Sequence, residues 1–152
     1  SLIGAAGVHF VVSELSLRGL IALPTIRNTA GIDVIVTNHD ASWHANLQVK
    51  TSRTKVGFWP IGTKYGTWRG RNCYYVFARY LKNESRFEAF VEPAASVANV
   101  ADALMRDSRE RGLKDWASWW RLPKGEEDRV RGQWADFGTW SRLLGGDDRP
   151  VL

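Results

Sequence analysis

The sequence has little that would tie it to an oxidising compartment or to a membrane. Its single cysteine, Cys73, cannot form a disulfide within the chain, and no apolar run is long enough to cross a bilayer. No basic segment followed by an apolar stretch marks a signal peptide. We therefore expect a cytoplasmic protein that does not bind membranes. Because the chain begins at Ser1 and its single methionine is Met105, we also expect the native start to lie upstream.

Acidic residues are absent from residues 41–83, although the chain contains 16 of them and carries a net charge of +5. A stretch with charge of one sign creates a positive field that can attract a phosphate backbone. An ordinary solvated loop, balanced by acids elsewhere in space, is the alternative, and composition does not separate the two. The basic residues in this window are Lys50, Arg53, Lys55, Lys64, Arg69, Arg71, Arg79 and Lys82.

The length of 152 residues predicts a single domain, which we place at residues 1–144, followed by a frayed tail at residues 145–152. Apolar spacing predicts a helix over residues 2–18 that ends at Gly19. Residues 20–26 are typical of an edge strand because they contain Pro24. Strands are predicted at residues 73–81 and 87–91, joined by a turn at residues 82–86.

A second helix is predicted from Pro93 to about residue 111, with Val97, Val100, Ala101 and Leu104 on one face. Residues 51–70 form a long connection, which is usually functional or mobile in a small domain. The chain after the second helix is rich in tryptophan. Trp116, Trp119 and Trp120 have helical spacing, and we interpret these side chains mainly as packing.

Residues 31–52 have the alternation of a β-hairpin. A turn centred between Asp40 and Ala41 pairs residues whose numbers add up to 81, which places Ile32, Val34 and Val36 opposite Val49, Leu47 and Ala45 on one apolar face. Asp33 then lies opposite Gln48 on the other face, with Lys50 two residues further along. An exposed Asp–Lys pair across two strands is the ordinary interpretation of this pattern.

The same three residues also have the chemistry of a phosphate-cleaving site. A carboxylate, an amide oxygen or a main-chain carbonyl, together with a substrate phosphate, can complete the oxygen shell of Mg²⁺, which keeps several waters. Lys50 would position or help to deprotonate the attacking water and offset developing negative charge. The hairpin pattern alone favours the solvent-exposed pair.

The order of these elements, with GIDVIV at residues 31–36 and LQVKTS at residues 47–52, resembles the PD-(D/E)XK nuclease superfamily. The Gln-x-Lys form is similar to that of Mrr-type restriction enzymes and of small prokaryotic nuclease-like proteins in this superfamily. Further segments that resemble the family are GAAG at 4–7, ELSLRG at 14–19, PTIRN at 24–28, YYVF at 74–77, FVEP at 90–93, KDWASW at 114–119 and WADF at 134–137.

The resemblance implies an α/β, restriction-endonuclease-like fold with an αβββαβ core, in which helices flank a central mixed sheet, followed here by a Trp-rich C-terminal extension. It also implies a metal-dependent phosphodiesterase that acts on nucleic acid. Asp33 would bind Mg²⁺ or Mn²⁺, Gln48 would replace the usual acidic ligand, and Lys50 would be the catalytic lysine. The main-chain carbonyl of Val49 would be a further metal ligand.

The expected partner is a nucleic acid, DNA in the first instance. Trp59 or Trp68 is expected to stack on unpaired bases. A homodimer is also expected, since many such nucleases cut two strands with two subunits. The residues expected to steer the phosphate backbone are Arg27, Arg53, Lys55, Lys64, Arg69 and Arg71.

One position departs from the family pattern. Related sequences place a Glu directly after the Gly4-x-x-Gly7 element, where this chain has Val8. Glu14 lies six residues further on, about 240° around the helix, and cannot replace it, although it can pair with Arg18. A site with one carboxylate binds metal more weakly, so a nuclease fold that serves as a non-catalytic DNA-binding or assembly module remains open. A protein-binding domain that uses the Trp-rich tail is a third, less favoured function.

Overall fold

The computed structural model describes residues 1–26, 31–53, 57–62, 64–113 and 118–121. Their elements run in the order α1 Leu2–Leu17, β1 Ile21–Pro24, β2 Val34–Thr37, β3 His44–Ser52, β4 Phe58–Gly62, β5 Cys73–Leu81, β6 Arg86–Pro93, α2 Ala94–Glu110 and β7 Ser118–Arg121. Two 3₁₀ helices in these ranges are Lys64–Thr67 and Lys82–Glu84. None of the described helices is both long and apolar enough to cross a membrane.

Five of the described strands form one mixed sheet in the order β1-β2-β3-β5-β6, in which β3 and β5 are parallel and the other neighbours are antiparallel. The predicted α/β class and central mixed sheet are confirmed, and β1, which contains Pro24, lies at an edge as predicted. The element order differs from αβββαβ. The described part of the β3 to β5 connection contains β4 and a 3₁₀ helix, whereas α2 follows β6.

Both predicted hairpins are present. Strands β2 and β3 pair from Val34 with Leu47 to Thr37 with His44, the predicted register. The side chain of Asn38 closes this turn, because it accepts the N–H of Trp43 at 2.9 Å and donates to the Ser42 hydroxyl at 2.7 Å. Strands β5 and β6 pair antiparallel around the Lys82–Glu84 turn.

Side chains alternate between the two faces of the sheet, so two hydrophobic core clusters lie on opposite sides. The first core cluster joins α1 to the sheet through Val11, Leu15, Val34, Leu47 and Val76 among others. The second core cluster lies on the other face, where α2 and the two-stranded β4–β7 sheet, here called the ribbon, contribute. Its members are Trp59, Ile61, Tyr75, Phe77, Phe90, Ala94, Val97, Ala101 and Trp120. The sheet was predicted to have flanking helices, and the structure places one helix on each face.

Helix α1 matches its predicted stripe. Val11 and Leu15 are fully buried, and Val8 and Val12 pack against the same cluster. The helix ends at Leu17, and Gly19 follows with φ +80, a conformation that favours glycine at a helix C-terminus. Gly7 is buried within α1 and allows the helix to approach β3 closely, because a Cβ at Gly7 would lie 2.0 Å from the Thr51 hydroxyl oxygen.

Gly7→Ala is therefore expected to destabilise the fold, by about 1–3 kcal/mol in spite of the better helix propensity of alanine. Rotation of Thr51 about its Cα–Cβ bond leaves the Cβ in place, and that atom would still lie 3.0 Å from the new methyl group. Gly4→Ala is the matched control in the same helix, because its Cβ would meet only the Ser1 hydroxyl at 3.2 Å. Urea unfolding of the two variants should place Gly7→Ala well below Gly4→Ala, and equal midpoints would contradict the close approach.

Helix α2 is rotated from its predicted orientation. Val97 and Ala101 are buried as expected, but Val100 and Leu104 are 48% and 50% exposed, so their predicted burial is wrong. The buried positions are Ala94, Val97, Ala98 and Ala101. The small alanine side faces the sheet because the aromatic rings of the second core cluster already fill the space there.

Two predictions for the rest of the chain are corrected. Residues 51–70 contain β4 and a 3₁₀ helix rather than loop alone. Trp119 and Trp120 lie in β7, which pairs with β4, so their helical spacing was misleading. Trp120 is buried as predicted packing, whereas Trp119 is 39% exposed. Trp116, residues 122–144 and the predicted tail at residues 145–152 lie outside the described residues.

Candidate functional site

Asp33 lies directly before β2, at the position where the pairing between β2 and β3 stops. The paired register stops at Val34, and the Asp33 N–H donates to the Leu47 carbonyl at 2.8 Å. The Asp33 carboxylate then replaces a backbone partner, since its Oδ2 accepts the N–H of Val49 at 2.8 Å. On the other side, the Thr25 N–H donates to the Asp33 carbonyl at 2.9 Å. The predicted Ile32–Val49 pair is therefore not formed within the described ladder.

Val49 presents its main chain to the same side of β3. Because the N–H and C=O of one residue in a strand point in the same direction, the Val49 carbonyl also faces the end of β2. Within the described ranges, Val49 has no partner residue in β2. A main-chain oxygen and the Asp33 carboxylate thus flank one place at the end of the hairpin.

Gln48 and Lys50 lie on either side of Val49 in β3 and share the face opposite the first core cluster. In the parallel pairing with β5, Gln48 lies beside Tyr75 and Lys50 beside Phe77. Both side chains are partly buried. Burial lowers the pKa of Lys50 from its usual value, and the negative charge of Asp33 partly opposes that shift. Lys50 therefore lies within electrostatic reach of Asp33.

Lys50→Met tests this burial through pH. In the folded protein the pKa of Lys50 lies below 10.5, the ordinary lysine value, which applies to the unfolded chain. At pH values between the folded-state pKa and the unfolded-state pKa, the unfolded chain keeps a proton that the folded chain has released. The free energy of unfolding of the wild type should then rise toward pH 10.5 relative to that of the variant. Urea unfolding in steps from about pH 7 to pH 10 measures the difference. Lys82→Met, at an exposed turn, should show no such trend, and a flat difference for Lys50→Met would contradict the shift.

Val8, at the position where the resemblance led us to expect a Glu, packs against the first core cluster. Glu14 binds Arg18 at 2.7 Å one helical turn away, as predicted, and is engaged on α1 itself. Among the described residues, no group of three or more His, Cys, Asp and Glu side chains could hold a metal ion together. Asp33 is thus the single carboxylate of the predicted ligand set.

The donor set at the end of the hairpin nevertheless fits a hard cation. Asp33 uses one carboxylate oxygen for the Val49 N–H, and no other side-chain bond of Asp33 is present in the described part of the chain. The other carboxylate oxygen and the Val49 carbonyl are oxygen ligands at this place, and Gln48, the residue before Val49, has an amide oxygen. Mg²⁺ prefers such oxygens and commonly keeps several waters, so few protein ligands suffice.

Trp68 lies across this part of the sheet face, which the sequence did not predict. Its indole lies against Gly31, where a Cβ would be 3.5 Å from the ring, and contacts Tyr75 edge-on with ring centroids 4.9 Å apart. Tyr75 is the neighbour of Gln48, and Gly31 lies two residues before Asp33. The Trp68 ring therefore contacts residues next to the candidate site on both sides, Gly31 near Asp33 and Tyr75 beside Gln48.

The segment that contains Trp68 is attached to α2. Asp102 binds the Arg69 guanidinium and accepts the Tyr65 hydroxyl at 3.2 Å, and Arg69 also donates to Asn99 at 3.2 Å. The hydrogen bond and charge of Arg69 hold the pKa of Asp102 below its ordinary value. Arg69 was predicted to steer nucleic acid. In the structure its guanidinium also binds Asp102 and Asn99 on α2, which the sequence did not predict.

The other predicted contact residues have different placements. Arg53, Lys64 and Arg71 are exposed. Arg27 and Lys55 lie outside the described residues. Trp59 or Trp68 was predicted to stack on bases. Trp59 is fully buried and donates its indole N–H to the Ala78 carbonyl at 2.9 Å, so Trp59 cannot do so, and the prediction for Trp68 stays a prediction.

Comparisons of this chain with known proteins found no matching family model, no matching curated protein and no matching solved structure.

Proposed function

We propose that this chain is a metal-dependent nucleic-acid phosphodiesterase with a restriction-endonuclease-like fold. The observation that supports the proposal is the hydrogen bond between the Asp33 carboxylate and the Val49 N–H, next to a partly buried Lys50 whose pKa is lowered by that burial. A solvent-exposed Asp–Lys pair would not require either feature. Carboxylate, main-chain oxygen and a desolvated lysine at one strand end are the components that phosphodiester hydrolysis needs.

Mg²⁺ or Mn²⁺ would be held by the second carboxylate oxygen of Asp33, the Val49 carbonyl and the Gln48 amide oxygen. The chemistry that such a cation supplies is polarisation of a phosphoryl oxygen and a lower pKa for bound water. Lys50 contributes separately. Burial favours the neutral amine of Lys50, which would accept a proton from the attacking water, and the ammonium that results would offset the negative charge that develops on the phosphate.

The expected substrate is DNA. The exposed Arg53 follows directly after β3, and Arg71 and Lys64 lie on the connection to β5, all within the acid-free window. Positive charge on the segment after β3 and on the segment before β5 would hold a phosphate backbone across the site.

A non-catalytic DNA-binding module is the second candidate. The observation that favours it is the packing of Val8 into the first core cluster, which leaves one carboxylate to balance a divalent charge. Such a protein would keep the fold and the basic surface without cleaving its partner.

A cleavage assay separates the two. Supercoiled plasmid and labelled single-stranded and branched DNA are incubated with the protein in Mg²⁺, Mn²⁺ or EDTA, alongside Lys50→Ala. Cleavage that requires metal and falls about a hundredfold or more in Lys50→Ala supports the phosphodiesterase. Lys82→Ala is the matched control, since Lys82 lies at the far end of β5 and is exposed.

Salt-sensitive DNA binding without cleavage, at protein concentrations that saturate the DNA, would contradict the enzyme and favour the binding module. A protein that neither cleaves nor binds DNA would contradict both and leave the protein-binding function of the Trp-rich tail.

A further inference from the structure

The ribbon formed by β4 and β7 has one aromatic face outside the core. Trp59, Ile61 and Trp120 point inward and are buried. Their neighbours alternate to the other face, where Phe58 lies opposite Arg121 and Pro60 lies opposite Trp119. Pro60 and Arg121 are exposed, and the indole of Trp119 is 39% exposed and meets the ring of Phe58 at 4.8 Å. We call Phe58, Pro60, Trp119 and Arg121 the outer platform.

The two strands of the ribbon carry charge of positive sign only. Neither β4 nor β7 contains an acidic residue, and Arg121 belongs to the platform itself. Arg53, which is also exposed, precedes the ribbon on the connection from β3. An exposed indole beside a guanidinium can stack on a base and bind its phosphate at the same time.

The outer platform is connected to the candidate site through the second core cluster. Trp120 stacks on Phe77 with ring centroids 4.1 Å apart and an interplanar angle of 2°. Phe77 is the neighbour of Lys50 in β5, one strand spacing or about 4.8 Å away. The ribbon thus packs on the sheet face that Lys50 shares.

We infer that the outer platform binds single-stranded nucleic acid, with an unpaired base stacked on Trp119 and its phosphate near Arg121. In a duplex the base faces are covered by their neighbours, so an aromatic platform discriminates in favour of unpaired strands. The inference rests on the proposed function and narrows its substrate class to strands with unpaired bases.

Fluorescence anisotropy with a 5′-labelled oligothymidylate of about 20 nucleotides measures this binding, with oligouridylate and a duplex of equal length as further probes. All titrations contain EDTA, so cleavage plays no part. We expect the wild type to bind the single strands more tightly than the duplex. Trp119→Leu should weaken binding of oligothymidylate by about five- to a hundredfold, the loss expected for one stacked base.

Trp119→Phe is the matched variant, because it keeps an aromatic face where leucine keeps only apolar bulk. It should retain most of the affinity that Trp119→Leu loses, and it keeps the test valid if the leucine variant does not fold. Arg121→Gln should reduce the slope of log affinity against log salt by about 0.7, whereas Arg111→Gln, exposed at the end of α2, should not.

Equal or tighter binding of the duplex, or unchanged affinity in Trp119→Leu, would overturn the inference. Tighter binding of a labelled proline-rich peptide than of oligothymidylate would also overturn it, since aromatic surfaces bind such peptides too. Absence of cleavage in the metal-dependent assay would leave these results standing, so failure of the proposed function is distinguishable from failure of the platform.

Discussion

A Glu88→Gln variant is expected to lose about 3–5 kcal/mol of unfolding free energy. Glu88 and Arg79 are register partners on β6 and β5, are 1% and 0% exposed, and bind through Oε2 and Nε at 2.7 Å. The Arg79 guanidinium also lies 5.5 Å from the centre of the Phe90 ring. Glutamine preserves the shape but removes the negative charge that this buried guanidinium requires.

Glu84→Gln is the matched control. Glu84 binds Arg86 at 2.6 Å but is 54% exposed, so its loss should cost no more than about 1 kcal/mol. A combined Arg79→Met and Glu88→Leu variant should recover most of the stability, because apolar side chains of similar volume avoid the desolvation of both charges. Urea unfolding followed by circular dichroism measures all three. A Glu88→Gln protein within about 1 kcal/mol of the wild type would show that the pair is not needed for stability.

Asp33→Asn and Asp33→Ala are expected to separate the two roles of this residue. Asparagine keeps an oxygen that can accept the Val49 N–H, so the fold should lose about 1 kcal/mol or less. Alanine removes the acceptor and leaves a partly buried N–H unsatisfied, which should cost about 1.5–3 kcal/mol. Both variants remove the one carboxylate of the ligand set, so both should lower metal-dependent cleavage about a hundredfold or more.

Calorimetric titration of Mn²⁺ into each protein provides a readout that does not depend on cleavage. The wild type should release or absorb heat on binding, and both variants should bind at least about tenfold more weakly. Asp107→Asn, at an exposed position on α2, serves as the control for loss of a carboxylate. Unchanged Mn²⁺ affinity in Asp33→Asn would mean that Asp33 has only the structural role at the end of β2.

The hairpin could be predicted from the sequence because one face of it is buried. Val34, Val36, Ala45 and Leu47 alternate without interruption, and a shift by one residue would place them in solvent. The departure of the backbone at Asp33 could not be predicted in this way. It depends on a side chain that competes with the backbone for the Val49 N–H, and hydrophobic alternation contains no information about that competition.

The secondary structure around Trp119 and Trp120 could not be predicted from the sequence. The pair at Trp119 and Trp120 fits a helix with Trp116 and also fits a strand, because two adjacent residues do not define a period. Tertiary packing decides between them, since Trp120 stacks on Phe77 and contacts the tilted ring of Trp59 within the second core cluster. The partner strand β4 contains Pro60, ends on Gly62 and follows Gly57, and these residues concealed it in the sequence.

The pairing of the ribbon sets an order of events during synthesis. All members of the first core cluster have been translated once Val91 is made, whereas Phe58 pairs with Arg121, 63 positions further along the chain. At about 5–20 residues per second, the face of β5 that contains Phe77 lacks the ribbon on the ribosome for seconds after the α1 face can close, with only α2 available to cover it. This interval is when the nascent chain exposes its aromatic residues to chaperones and to other chains, and slower translation of the segment between α2 and β7 would prolong it.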